Sequence, residues 1–193
     1  MLFILLGSLG FLLYLLCDYF YYKNSWSVLL SIFYYISSVT IFISIFLLAM
    51  YSNRFYLSFY LIIISGILTL IFLFLLIKTL LFETDFSGKS TNLVTSGSYL
   101  ISRHPGVLYL ILLMFFLIFF SRSILLIYSF FVFSFLNLII AYLEDIIFLP
   151  EKYKDYNEFK KHTPFLIPKV NNLQYIFFTK KNQKKTSKTW NML

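Results

Sequence analysis

Five long apolar runs, separated by short polar breaks, make up most of the 193-residue chain. They cover residues 2–22 (broken by Asp18), 25–51, 55–82 (with Lys78 near its end), 105–121 and 123–143. Crossing a bilayer core takes a helix of about 20 apolar residues, so all five runs are long enough or nearly so, and the fourth is the shortest. Ser121-Arg122-Ser123 leaves almost no loop between the last two runs, which predicts a tight antiparallel hairpin. The expected fold is all-α: a polytopic membrane protein of about five transmembrane helices, the last two a tight hairpin, followed by an interfacial helix. The first run lacks a positive leading segment, and Leu16 before Cys17 does not suit lipoprotein-type cleavage, so it reads as a span rather than a signal peptide.

Composition agrees with this pattern. Hydrophobic residues make up 60% of the chain and charged residues only 12%, more apolar surface than a water-soluble domain of this size could bury. The 16 Tyr gather near the ends of runs, as in Tyr19–Tyr22, where an interfacial aromatic belt is expected. Charge is uneven. Residues 152–188 hold ten lysines, and three nearby carboxylates (Glu151, Asp155, Glu158) reduce them to +7 of the net +8. This basic tail suits anionic lipid headgroups; with no basic face elsewhere, nucleic acid is not an expected partner. By the positive-inside rule the tail is cytoplasmic, and five spans then place the N-terminus outside. Cys17 is alone, no metal site is expected, and nothing in the sequence speaks to oligomeric state.

The chemistry concentrates at the start of the fourth run and the end of the fifth. The connector "ETDFSGKSTNLVTSGSYLISRH" turns at Gly88 and Gly97 and leads into Pro105, a residue suited to the first position of a helix. His104 becomes the expected N-cap, with Arg103 one residue outside. A helix start leaves unpaired N–H groups and a partial positive charge; a guanidinium and an imidazole beside it suit a carboxylate or a phosphate. The plainer alternative is that Arg103 snorkels to headgroups and His104 only caps. In "NLIIAYLEDIIFLP", Asn137, Ala141 and Glu144 share one helical face, and Glu144-Asp145 interrupt an apolar helix. Carboxylates at membrane depth are costly and need a partner or a task. The hairpin brings both ends to one side, so Arg103 and His104 are expected to approach Glu144 and Asp145, either as a site or as a plain salt bridge. Tyr153, Tyr156 and Phe159 then recur every three residues, predicting a short amphipathic helix with its lysines outward. Such a helix either roofs the site or simply adheres to lipid.

Taken together, "LVTSGSYLISRHP", the hairpin, Glu144-Asp145 and "YNEFKKHTPFLIP" resemble the integral-membrane methyltransferases, which include isoprenylcysteine carboxyl methyltransferases and phospholipid methyltransferases. The resemblance covers residues 92–168. It implies S-adenosylmethionine bound at the cytosolic ends of the last two spans, with Gly97, Tyr99, Arg103, His104, Pro105 and Glu144 at the cofactor. It further implies Glu144, Asp145 and Arg103 as catalytic residues, and methyl transfer to a lipid-like or prenylated membrane substrate. The sequence departs from that family's pattern at Val107, Tyr109 and Phe165, where Tyr, Gly and Arg are usual; Tyr109 is expected to fill cofactor space. Two other readings compete: a membrane NADPH-dependent reductase, since sterol-type reductases carry a similar Arg-His-Pro stretch, and a non-enzymatic scaffold with a lipid-binding tail. The expected organisation is three N-terminal helices (1–82), a catalytic region (83–168) and a basic tail (169–193).

Overall fold

A computed structural model describes residues 1–23, 28–83 and 93–168. Helices α1 (Leu2–Tyr22), α2 (Val28–Met50) and α3 (Phe59–Lys78) follow the first three runs. Helices α4 (Pro105–Ser121) and α5 (Ile124–Leu143) form the hairpin, and α6 (Leu149–Lys152) and α7 (Tyr156–His162) complete the described chain. Four of these helices, with their continuations, are long and apolar enough to cross a membrane, and α4 is a shorter apolar fifth. The protein is an all-helical polytopic membrane protein. Residues 169–193 of the basic tail, and Gly88, lie outside the described residues.

Lipid-facing and inward-facing positions separate at helical spacing. On α1 the stripe Leu5, Leu9, Leu12 and Leu16 is exposed, while Phe11, Cys17 and Asp18 are buried. The inner core joins Phe11 of α1, Ile41, Ile45 and Leu48 of α2, Met114 and Ile118 of α4, and Leu126 and Phe133 of α5. Gly7 allows α1 to lie close to α5: a Cβ there would stand 2.2 Å from the Phe133 ring. Several span hydroxyls are satisfied along their own helix. Ser65 donates to the Leu61 carbonyl at 2.7 Å and Thr69 to the Ser65 carbonyl at 2.8 Å, as a solvent without hydrogen bonds requires.

The third helix starts four residues later than its apolar run, because tertiary hydrogen bonds hold the preceding chain extended. Phe55 donates its N–H to the Arg122 carbonyl (3.0 Å) and Ile124 to the Asn53 carbonyl (3.1 Å), around an antiparallel bridge between Arg54 and Ser123. The hairpin turn takes Arg122 into the left-handed region (φ 58°). Ser123 then caps α5: its Oγ accepts from the Leu126 N–H at 3.1 Å and donates to the Leu48 carbonyl at 2.8 Å. Two helices end in π-turns, α3 at Thr79–Glu83 and α5 at Glu144–Phe148. The π-turn shifts the register after Leu143, so Glu144 and Asp145 do not simply continue the α5 pattern.

The interfacial segment departs from expectation. In place of one amphipathic helix carrying Tyr153, Tyr156 and Phe159, α6 stops at Lys152 and Tyr153 is extended (φ −119°, ψ 113°). Tyr156, the first residue of α7, is fully buried (1% exposed). Lysines do not all face outward either. Lys161 does, pairing with exposed Glu158, whereas Lys160 turns in towards Asp145.

Candidate functional site

The alternating direction of the spans brings the C-terminal ends of α1, α3 and α5 together with the N-terminal ends of α2 and α4. Between them lies a cavity of about 260 Å³. Phe11, Ile41, Leu110 and Ile140 give it apolar walls, and Tyr14, Tyr34 and Tyr99 add phenol rings. Its charged lining comes from Asp18, Arg103, His104 and Glu144. Lys152 stands over the Tyr21 ring at 3.4 Å and Lys23 over Tyr19 at 4.6 Å, so the cavity end of the bundle is also the end with interfacial lysines.

Pro105 begins α4 and His104 is its N-cap residue, but the imidazole makes no capping bond. It turns to the carboxylates: Nδ1 lies 3.2 Å from Glu144 Oε2 and Nε2 lies 3.7 Å from Asp145 Oδ1. Arg103 Nη1 approaches Asp145 Oδ1 at 3.0 Å. The spatial convergence expected from the hairpin is therefore present. The segment after α7 clamps it. Arg103 donates its backbone N–H to the Pro164 carbonyl (2.9 Å), and Ser102 Oγ donates to the Phe165 carbonyl (3.0 Å). Phe165, where the resembling family carries an arginine, packs its ring against His104 (5.1 Å) and Arg103 (5.6 Å).

The two adjacent carboxylates are differently placed. Glu144 lines the cavity; Asp145 does not. Asp145 is buried (4% exposed) and surrounded by donors: Tyr156 OH at 2.5 Å, Lys160 Nζ at 2.8 Å, Arg103 and His104. Its contacts tie α7 to the end of α5 and orient the cations. Lys160 was the residue that helical patterning could not reveal, since a lysine on a short surface helix ordinarily faces solvent.

The other expected positions divide in the same way. Tyr99, Pro105 and Val107 line the cavity, while Gly97 does not. Gly97 has φ +68°, and a Cβ there would meet Glu83 Oε1 at 2.5 Å. Glu83, paired with Lys78 at 3.2 Å, accepts the Ser98 N–H at 3.0 Å and so pins the turn Gly97–Leu100 that carries Tyr99. Tyr109 leaves the cavity open; it is buried with Leu76 and Leu113 in the α3–α4 contact, contrary to the expectation that it fills cofactor space.

Asp18 is the residue that the sequence pattern presented only as a break in the first run. It is 3% exposed and lines the cavity together with Glu144 and Tyr34. The Tyr34 hydroxyl is hydrogen-bonded to that of Tyr14. The available signal was a lone carboxylate inside an apolar span. Several cavity atoms have no hydrogen-bond partner among the described residues: Asp18 Oδ2, Arg103 Nε and Nη1, His104 Nε2 and Asn137 Nδ2. The Arg103–Asp145 approach is thus a charge contact without hydrogen-bond alignment. Buried polar atoms left this way are costly unless a ligand meets them.

Burial works against a charged imidazole at His104, yet the adjacent carboxylates of Asp145 and Glu144 outweigh it and raise the group above its ordinary value. Burial first, and then the bond to Asp145, push the Tyr156 phenol up, so it stays a donor at neutral pH. The raised imidazole has a consequence for stability. Its contribution is complete below the unfolded-state value of about 6.5 and is lost as pH rises through the folded value. The thermal midpoint of the wild type should therefore fall between mildly acidic and mildly alkaline buffer by more than that of His104→Asn; parallel profiles would contradict this.

Compared with protein-family profiles, with curated proteins and with solved structures, the chain matches none.

Proposed function

We propose that this chain transfers a methyl group from S-adenosylmethionine to a lipid-like or prenylated membrane substrate, with the cavity and the basic tail on the cytoplasmic side. One observation carries the reading: Arg103, two of whose guanidinium nitrogens make no hydrogen bond among the described residues, lines the same cavity as Glu144 and Asp18. Those groups fit the cofactor at both ends, a cation for its carboxylate and carboxylates for its ammonium and sulfonium. When bound, the cofactor supplies an electrophilic methyl group. The residues of the chain position and enclose. Arg103 fixes the carboxylate end, Tyr99 and Pro105 shape the pocket, and Glu144 offsets positive charge. The apolar walls exclude water, which strengthens each of these interactions and favours an in-line approach.

Phe42 lies on the exposed face of α2 and also lines the cavity, a route by which an apolar substrate enters from the bilayer. A reductase is less well supported: Arg103 is the only arginine lining the cavity among the described residues, whereas a nucleotide 2′-phosphate calls for several cations. Titration calorimetry of the purified protein tests the proposal. Saturable binding of S-adenosylmethionine is expected, weakened about tenfold or more in Glu144→Ala. No binding by the wild type, or tighter binding of NADPH, would overturn it.

A further inference from the structure

Asn137 lines the cavity and has no task in the methyl-transfer reading. It lies on α5 seven residues before Glu144, so its amide sits about 10 Å deeper along the helix than the charged groups. The side chain is buried (9% exposed), and Nδ2 has no hydrogen-bond partner among the described residues. Its surroundings offer none. The cavity walls at Phe11, Ile41, Leu110 and Ile140 are hydrocarbon. The Tyr14 and Tyr34 hydroxyls are hydrogen-bonded to each other, and Ser38 donates to the Tyr34 carbonyl at 3.0 Å. A side-chain amide inside a membrane bundle ordinarily bonds across to a neighbouring helix, because a bare one is costly. Here no helix answers it. The apolar walls also provide poorly for an ordered water, which takes about three polar partners when buried.

We propose that Asn137 is a recognition residue, its Nδ2 donating to a neutral carbonyl oxygen on an apolar ligand held in the cavity. A carbonyl accepts a hydrogen bond without carrying charge into the hydrocarbon zone, which an ionised group could not do cheaply. The rest of such a ligand lies against Phe11, Ile41, Leu110 and Ile140. This is the usual composition of a small-molecule pocket: apolar walls with a few polar groups that fix orientation. Selectivity follows from the same bond. A ligand of equal shape without the oxygen displaces nothing useful and leaves the buried donor unpaired. The empty protein bears the cost of that donor as lost stability, a common feature of residues kept for function. Binding does not depend on methyl transfer. For the methyl-transfer reading, on which only this consequence rests, the acceptor substrate carries a neutral oxygen about 10 Å from the charged end of the cavity.

Benzophenone and diphenylmethane test the proposal, since they differ by a carbonyl in place of a methylene. Each is titrated into the purified full-length protein in one detergent, and affinity is read from the rise in thermal midpoint. The wild type is expected to prefer benzophenone by about tenfold, the worth of one hydrogen bond in a buried site. Asn137→Leu keeps the branching of the side chain without its polar atoms. It should bind the two compounds about equally and melt no lower than the wild type. Equal binding by the wild type, or binding of neither compound, overturns the proposal even if Asn137→Leu does not fold. A lowered midpoint in Asn137→Leu with the tenfold preference retained assigns Asn137 to packing and also overturns it. Ultraviolet activation of bound benzophenone adds a second readout, because its carbonyl carbon inserts into a nearby C–H bond. Adducts at Ile140, Leu110 or Ile41 are expected by mass spectrometry; adducts confined to lipid-facing Phe131 and Phe135 contradict the site. Absence of S-adenosylmethionine binding with the ketone preference intact would sink the methyltransferase reading alone, and cofactor binding without the preference would sink this one alone.

Discussion

Asp145→Ala destabilises the protein by about 3–5 kcal/mol, the usual consequence of removing one partner from a buried ionic cluster. The carboxylate offsets Arg103 and His104 on one side and Lys160 on the other, and it accepts the Tyr156 hydroxyl. Without it, buried Arg103 and His104 lose their counter-charge and a buried phenol loses its acceptor. Tyr156 anchors α7, so that helix should detach before the bundle unfolds, and limited proteolysis near residues 153–163 should accelerate. Denaturation followed by circular dichroism, with proteolysis in parallel, measures both effects. Lys161→Ala is the natural comparison, because Lys161 and Glu158 are exposed and such pairs contribute little. If Asp145→Ala were no more harmful than Lys161→Ala, the cluster would not hold the interfacial segment in place.

Arg103→Ala lowers affinity for S-adenosylmethionine by about 10–100-fold, the range for losing a hydrogen bond to a charged group. Asp145 keeps Lys160 and His104 in this variant, so the fold around it survives and the loss reads on the ligand. Arg103→Lys should recover only part of the affinity: an ammonium supplies the charge but not the planar fork that meets a carboxylate with two bonds. Calorimetry on both variants, with helical content checked by circular dichroism, decides the matter. Wild-type affinity in Arg103→Ala would remove the observation on which the proposed activity rests.

How much of this was legible in the chain differs from residue to residue. The spans follow directly from run lengths, because an apolar stretch of that length has no other stable environment. The hairpin follows from the three-residue break at Arg122, and from it the meeting of Arg103 and His104 with Glu144 and Asp145. Asp18 was visible as an anomaly but not as sharing a cavity with Glu144, since 126 positions separate them and no local rule links α1 to the end of α5. Tyr109 reads as an obstruction when it is compared by position alone; helix rotation instead turns it into the α3 contact. The division between Glu144 and Asp145 depends on the π-turn, which shifts the register where α5 ends.

Sequence alone therefore determined the solvent, the number of spans, and which of their ends carry charge. Each of these is a property of a local window and of the hydrocarbon's refusal of unpaired polar groups. Only the tertiary structure decided which carboxylate faces the cavity, that Lys160 turns inward, and that Asp18 joins the site. These choices depend on helix rotation and packing between segments far apart in the chain, where a rotation of one residue's worth exchanges an inward face for a lipid-facing one.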